Sequence, residues 1–336
     1  MLSAWPSDVR RVRDLVLAHG WNATSYQIVN PGIAHWFSKH DDAVVGFVDY
    51  AGFNVVAGAP VCSVQSLPRV IAEFEARSLE AGRRVCYFGA EARLDDTLRN
   101  RASHSRALLG AQPTWNPARW NESINQHKSL RAQLNRARNK GVTIVEYSPQ
   151  RAMTSVTLKR VLEKWLETRR LPPLHFLVEP DTLERLIDRR IFVARHNDAE
   201  ESDSVIAFAV LSPVPARDGW LVEQFPRLPS APNGTVELLL NAAVNAIAES
   251  GARYVTLGLA PLARRDVIEH PTESWWLRAV LHLAALHGTR FYNFRGLEAF
   301  KTKFSPETWE PVYAIQNSPA FTPAALLAIA RAFLAI

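Results

Sequence analysis

The residues His127 to Lys140, HKSLRAQLNRARNK, carry five cations (Lys128, Arg131, Arg136, Arg138 and Lys140) and no carboxylate. Cations at that density bind polyanions, above all through phosphate oxygens. At helical spacing Lys128, Arg131, Asn135 and Arg138 share one face, Leu130, Leu134 and Ala137 fall on another, and Gly141 supplies a stop. The segment thus predicts a docked helix that turns its charge outward. A solvated surface helix without any ligand is the plainer alternative. Near the other end of the chain, Arg295, Lys301 and Lys303 form a second cationic group. Read as a strand, Lys301 and Lys303 share a face and could grip one phosphate, with an ordinary exposed strand as the alternative.

Groups like these need a folded frame. The chain has 336 residues, 47% of them hydrophobic, 21% charged, and ten Trp, enough for two domains with cores. Its formal net charge of +6 favours anionic partners such as tRNA, an acidic membrane surface or a phosphorylated substrate, without choosing among them. Cys62 and Cys86 stand alone, so neither a disulfide scaffold nor a structural metal is expected. The N-terminus has no signal core and no segment reaches the ~18 apolar residues of a membrane span, so a soluble cytoplasmic protein is the expectation. The terminal FTPAALLAIARAFLAI predicts a docked helix opened by Thr322 and Pro323, with a membrane-surface anchor as the alternative.

The first part mixes a helix over 68–81 with strands over 43–48, 54–59 and 84–88, an α/β pattern that closes near Trp120. From Val142 the pattern runs strand (142–147), helix (152–170), helix (180–189), three strands (191–195, 204–211 and 219–225), a Pro-containing loop, a long helix (235–250) and a strand (254–257). That order is the one expected of an N-acetyltransferase-type (GNAT) acyltransferase. The expected division is residues 1–125, a basic connecting helix at 126–141, and a catalytic unit at 142–336. One part of such a fold is missing. Enzymes that use acetyl-CoA hold its pyrophosphate on a glycine-rich loop at a helix start, and here PSAPNGTVELL offers only Gly234. A different activated acyl donor is expected. No Walker A loop or GxGxxG occurs either.

The run FYNFRGLEAFKTKFSPETWEPVYA, residues 291–314, resembles the end of the cytoplasmic synthase domain of the bacterial multiple peptide resistance factor family, the aminoacyl-phosphatidylglycerol synthases. KSLRAQLNRARNKG, APNGTVELL and YVTLGLAPLA resemble it too, in order, and the likeness extends more weakly to Gly20–Asn22 and Gly58–Val61. The resemblance implies two tandem acyltransferase-like domains flanking the basic helix, aminoacyl-tRNA as donor and the hydroxyl of phosphatidylglycerol as acceptor. It implies no cofactor, because the tRNA ester is already activated. It also implies peripheral attachment to the inner face of an anionic membrane.

Ester-to-ester transfer needs a carboxylate near the attacking hydroxyl and a cation or N–H near the developing oxyanion. Glu223, in WLVEQFPR, falls where relatives carry an Asp followed three residues later by Arg; here Pro226 takes that place and Arg227 stands one further on. A strand-end surface carboxylate is the alternative reading. Glu237 matches an acidic family position, although first-turn Glu also suits the helix dipole. Tyr292, Trp309 and Glu310 are candidates for the substrate pocket, with core packing for the aromatics and a structural ion pair for Glu310 as alternatives. The amino acid moved is not specified. An amine or peptide acceptor and a non-catalytic tRNA- or membrane-binding module are the competing readings.

Overall fold

The computed structural model describes residues 5–169, 175–178, 181, 183–197, 204–263 and 294–334. Twice, the chain builds three antiparallel strands, crosses over through a helix and adds a parallel strand. In the first pass β1 (Ala34–Phe37), β2 (Val44–Tyr50) and β3 (Phe53–Ala57) pair antiparallel, and helix α2 (Leu67–Glu80) carries the chain to β4 (Arg84–Ala90), parallel to β3. In the second, β7 (Arg190–His196), β8 (Val205–Val214) and β9 (Gly219–Gln224) pair antiparallel, and α8 (Thr235–Glu249) leads to β10 (Tyr254–Thr256), parallel to β9. A parallel neighbour requires such a crossover. The fold is mixed α/β.

Both passes belong to one continuous sheet, ordered β1-β2-β3-β4-β12-β5-β10-β9-β8-β7-β6, where β5 is Ser105–Trp115, β6 Val142–Tyr147 and β12 Thr308–Gln316. The short β11 (Ala260–Pro261) also pairs with β5. β8 is buried at all ten positions, the mark of a strand covered on both faces. β12 lies between β4 and β5, antiparallel to each. The chain therefore returns at its end into the sheet built at its start. The last helix, Pro323–Leu334, follows it there, packing Ala325, Ala328, Ile329 and Ala332 into the cluster of Val12, Val16, Phe53 and Val55. The expected docked terminal helix is present, and Thr322 Oγ1 accepts from Ala325 N.

The basic segment forms α5 (Lys128–Asn139), preceded by α4 (Trp120–Gln126). Leu130, Leu134 and Ala137 are buried in the cluster that holds Leu238, Leu239 and Val244 of α8. The approach is close. A Cβ at Gly234, just ahead of α8, would lie 2.2 Å from the Gln133 carbonyl oxygen, and Gly234 has φ +94°. Only glycine fits both conditions at once.

Three local expectations need correction. The helix expected over 152–170 is broken into α6 (Pro149–Thr154) and α7 (Val156–Glu167), because Ser155 Oγ accepts from Leu158 N and starts a second helix. Described residues 183–189 form turns rather than a helix, held by Asp181 Oδ1 accepting from Leu183 N. Lys301 closes a helix, Phe294–Thr302, and Lys303 follows it, so the two do not share a strand face. Phe300 and Phe304 make edge contact at i,i+4 spacing, and Phe304 stacks on Trp120; that helical period outweighs the alternation of lysines. No helix among the described residues is long and apolar enough to cross a membrane.

Candidate active site

Glu223 sits on β9 at a break in register. Val222 faces Leu211 and Gln224 faces Val210, so one extra residue is accommodated at Glu223. Such a bulge re-aims the side chain it carries. The carboxylate is mostly buried, and Oε1 takes two hydrogen bonds, from Arg189 Nε at 2.8 Å and from Ser212 Oγ. Both donors engage Oε1. Oε2 has no partner among the described residues.

Arg189 is 4% exposed and is fixed on every side. It also donates to Ser212 Oγ, to the Arg185 carbonyl at 2.8 Å and to Asn30 Oδ1 at 3.3 Å, and it lies 5.0 Å from the Tyr26 ring. Tyr26 donates to Asp188, which pairs with Arg13, and burial together with that carboxylate drives the phenol pKa well up. Residues 13, 26 and 30 thus brace a carboxylate on β9. Arg227, by contrast, is exposed and in a bridge with Ala207, apart from Glu223.

A second polar cluster lies where β4, β5, β10 and β12 meet. Arg217 makes a bidentate pair with Glu310, Nη1 to Oε2 at 2.8 Å and Nη2 to Oε1 at 2.5 Å, and stands 3.6 Å over Tyr254 and 4.7 Å from Trp21. Gln112 Nε2 reaches both Glu310 and the Tyr254 hydroxyl. Glu91 adds a second carboxylate, 3.6 Å from Arg217, whose Oε1 accepts from Ala23 N. Burial pushes its carboxyl up to about 8, against the pull of Arg217. Trp309 is half-buried on β12 next to Glu310.

Lys301 is 4% exposed, and its ammonium donates to the carbonyls of Gly258 (2.7 Å) and Leu259 (2.9 Å), just beyond β10. Those carbonyls lie past the end of the β9–β10 pairing at Leu221 and Thr256, and the lysine satisfies them. Burial pushes Lys301 down to about 7. Lys303 Nζ pairs with Glu237 Oε1 in the first turn of α8, joining two candidates. Ser305 contacts His127 at the start of α5. Along α5, Lys128, Arg131, Asn135, Arg136 and Arg138 are all exposed. Arg295 lies in the Phe294–Thr302 helix, and Tyr292 falls outside the described residues. No group of three or more metal-ligating side chains occurs among the described residues.

The structure therefore joins Glu237 to Lys303, separates Glu223 from Arg227, and supplies Arg189, Ser212, Arg217, Glu91 and Gln112, which no motif had marked. The sequence model described as phosphatidylglycerol lysyltransferase, C-terminal, matches residues 13–316, a span that includes every cluster above. The chain belongs to this family. A phosphatidylglycerol lysyltransferase of Bacillus subtilis is 25% identical over 309 residues, covering 91% of this chain and 35% of its own length. One of Staphylococcus haemolyticus is 21% identical, covering 96% and 37%. The chain thus spans about a third of the curated relatives it matches. Among solved structures, L-PGS from Bacillus licheniformis superposes with TM-score 0.78 at 22% identity, covering 95% of this chain and 94% of that one. A C-terminal DUF2156 domain from Agrobacterium fabrum gives 0.80 at 22%, covering 97% and 96%. At such identities the superpositions speak for the fold.

Proposed function

We propose that the protein transfers an amino acid from aminoacyl-tRNA to a hydroxyl of phosphatidylglycerol or a similar lipid. The lipid hydroxyl oxygen forms a new ester bond to the aminoacyl carbonyl carbon, its proton passes to Glu223 Oε2, and the bond to the tRNA ribose oxygen breaks as that oxygen takes up a proton. Arg189 and Ser212 hold Oε1 and aim Oε2. Ester replaces ester, so the step calls for no cofactor. The observation that carries this reading is the family match over residues 13–316.

The geometry supports assigning the parts as follows. Residues 1–125 and 142–336 act as tandem acyltransferase-like units around the helix of 126–141, a reading supported by the repeated three-strand, helix, parallel-strand plan. The exposed cations of α5 hold the tRNA acceptor arm through phosphates, and Lys303 and Arg295 add to that grip while Glu237 orients Lys303. Lys301 shapes the strand end from which the acyl group is approached. Arg227, exposed beyond β9, meets the lipid phosphate. Glu310, with Trp309, forms the pocket for the transferred amino acid, and Tyr292 is assigned to it on the family resemblance alone. The protein works in the cytoplasm at the inner face of the membrane, held peripherally by charge.

The test mixes the protein with phosphatidylglycerol liposomes and tRNA charged with labelled amino acids, followed by mass spectrometry of the extracted lipid. Labelled lipid is expected and names the amino acid. Ester consumed without lipid label would move the acceptor to an amine, a peptide or water. An untouched ester would leave a binding module.

A further inference from the structure

Arginine presents Nε and Nη2 side by side, and a carboxylate facing them ordinarily takes one with each oxygen. At Glu223 only half of this happens. Oε1 accepts from Arg189 Nε at 2.8 Å, Oε2 has no partner among the described residues, and the acceptor on Nη2 is Asn30 Oδ1 at 3.3 Å. Nη1 is held elsewhere, by the Arg185 carbonyl at 2.8 Å. A guanidinium only donates, so the Asn30 oxygen must face it, and Nδ2 is left buried without a hydrogen-bond partner. A buried donor in that state opposes folding. The side chain is therefore in place for its oxygen.

Asn30 is also fixed where it stands. It is 5% exposed, its N–H donates to the Gln27 carbonyl at 2.9 Å, and it follows the tight helical turn Ser25–Val29, whose five residues are all buried. Pro31 confines it to the extended backbone it adopts, φ −64° and ψ 155°. We propose that Asn30 is a positioning residue for Glu223: by occupying Arg189 Nη2 it keeps the carboxylate on Nε alone and leaves Oε2 open to the proton of the attacking hydroxyl. Without it, Nη2 would turn to Oε2 and close the two side chains into a bidentate pair. The inference rests on the reading of Glu223 as the base. The other charged or titratable groups around Arg189 are Tyr26, Asp188, Arg13, Arg185 and Glu184, none of which the variants below alter.

The experiment labels glutamate with an NMR-active carbon at Cδ in the full chain and identifies the Glu223 signal by its absence from Glu223→Gln. That signal is titrated with pH in the wild type, Asn30→Ala and Asn30→Asp, beside pH profiles of kcat/KM for transfer. A carboxyl whose two oxygens are both gripped loses its proton more easily, whereas a new carboxylate nearby makes that loss harder. The midpoint should thus move down by about one pH unit in Asn30→Ala and up by about one in Asn30→Asp. Turnover above the acid limb should fall at least about tenfold in Asn30→Ala, because no oxygen of the base stays free. Asn30→Asp keeps an oxygen on Nη2 and carries the test alone where the alanine variant fails to fold. A midpoint that stays at the wild-type value in either folded variant overturns the inference, since a residue that merely packs there would not move it. The titration needs no transfer, so midpoints that move in a protein whose acid limb stays put, or that transfers nothing, would remove the base reading alone.

Discussion

Glu223 and Glu91 are both mostly buried carboxylates beside an arginine, yet they should respond differently to substitution. In Glu223→Gln the side chain keeps its shape but loses the charge that Arg189, 4% exposed, was folded against. Transfer should fall by about 10²–10⁴-fold, as for loss of a general base. Stability should also drop, by up to about 3–5 kcal/mol, the cost of leaving one member of a buried pair alone. Turnover on tRNA charged with labelled amino acid and a urea melt separate the two effects; full activity in a folded variant would sink the proposed role. Glu91 is a linkage problem. Its folded pKa is pushed up to about 8 from an ordinary 4.5, so between those values the folded state keeps a proton that the unfolded chain releases. Its contribution is complete below the lower value and is lost as pH rises toward the upper one, with a slope of at most about 1.4 kcal/mol per pH unit. Urea midpoints across that window should fall with pH in the wild type and flatten in Glu91→Gln.

At the scale of elements, the tightest joint is Gly234 against α5. A methyl group there would stand 2.2 Å from the Gln133 carbonyl oxygen at φ +94°, so Gly234→Ala should destabilise by at least about 2 kcal/mol and shift the basic helix off α8. A variant as stable as the wild type would mean the helix is free to move aside. Charge reversal on the outer face is the complement: Lys128→Glu with Arg136→Glu touches only exposed positions and should leave the melt unchanged. Each lost phosphate contact should lower the slope of log affinity for tRNA against log salt by about 0.7–0.9, read from filter binding at several salt concentrations. The amphipathic period of α5 was legible in the sequence because it is local: Leu130, Leu134 and Ala137 are set by spacing alone. Glu223 was marked as a candidate by its neighbours in sequence. Its bulge and its partner Arg189 were not, since pairing across β8 and β9 and a turn 34 positions away leave no local pattern. Lys301 and Lys303 misled for the opposite reason, as alternating charges imitate a strand while Phe300 and Phe304 dictate a helix.

For the whole molecule, the decisive feature is that β12 fills the space between β4 and β5, while β5 is itself the neighbour of β10. A cut of the chain near residue 125 leaves β4 and β5 with unpaired edges facing a gap the width of one strand, and strips the cluster of Val12, Val16 and Phe53 of Ala325, Ile329 and Ala332. The segment 21–30 crosses the same boundary in the other direction, through Asn30 on Arg189 and Ala23 beside Leu221 and Tyr254. Each half therefore completes its core with chain from the other, so the two are expected to fold together. Urea unfolding should be a single transition. Amide protection in β2 and β3 and in β8 and β9, followed by hydrogen exchange, should be lost at coincident midpoints; a separation of more than about 1 M would mean that the two units fold independently. A single transition would also explain why residue-scale damage at Glu223 must be read against the melt of the entire chain, because no part of the site lies in a unit that could stay folded while the other opens.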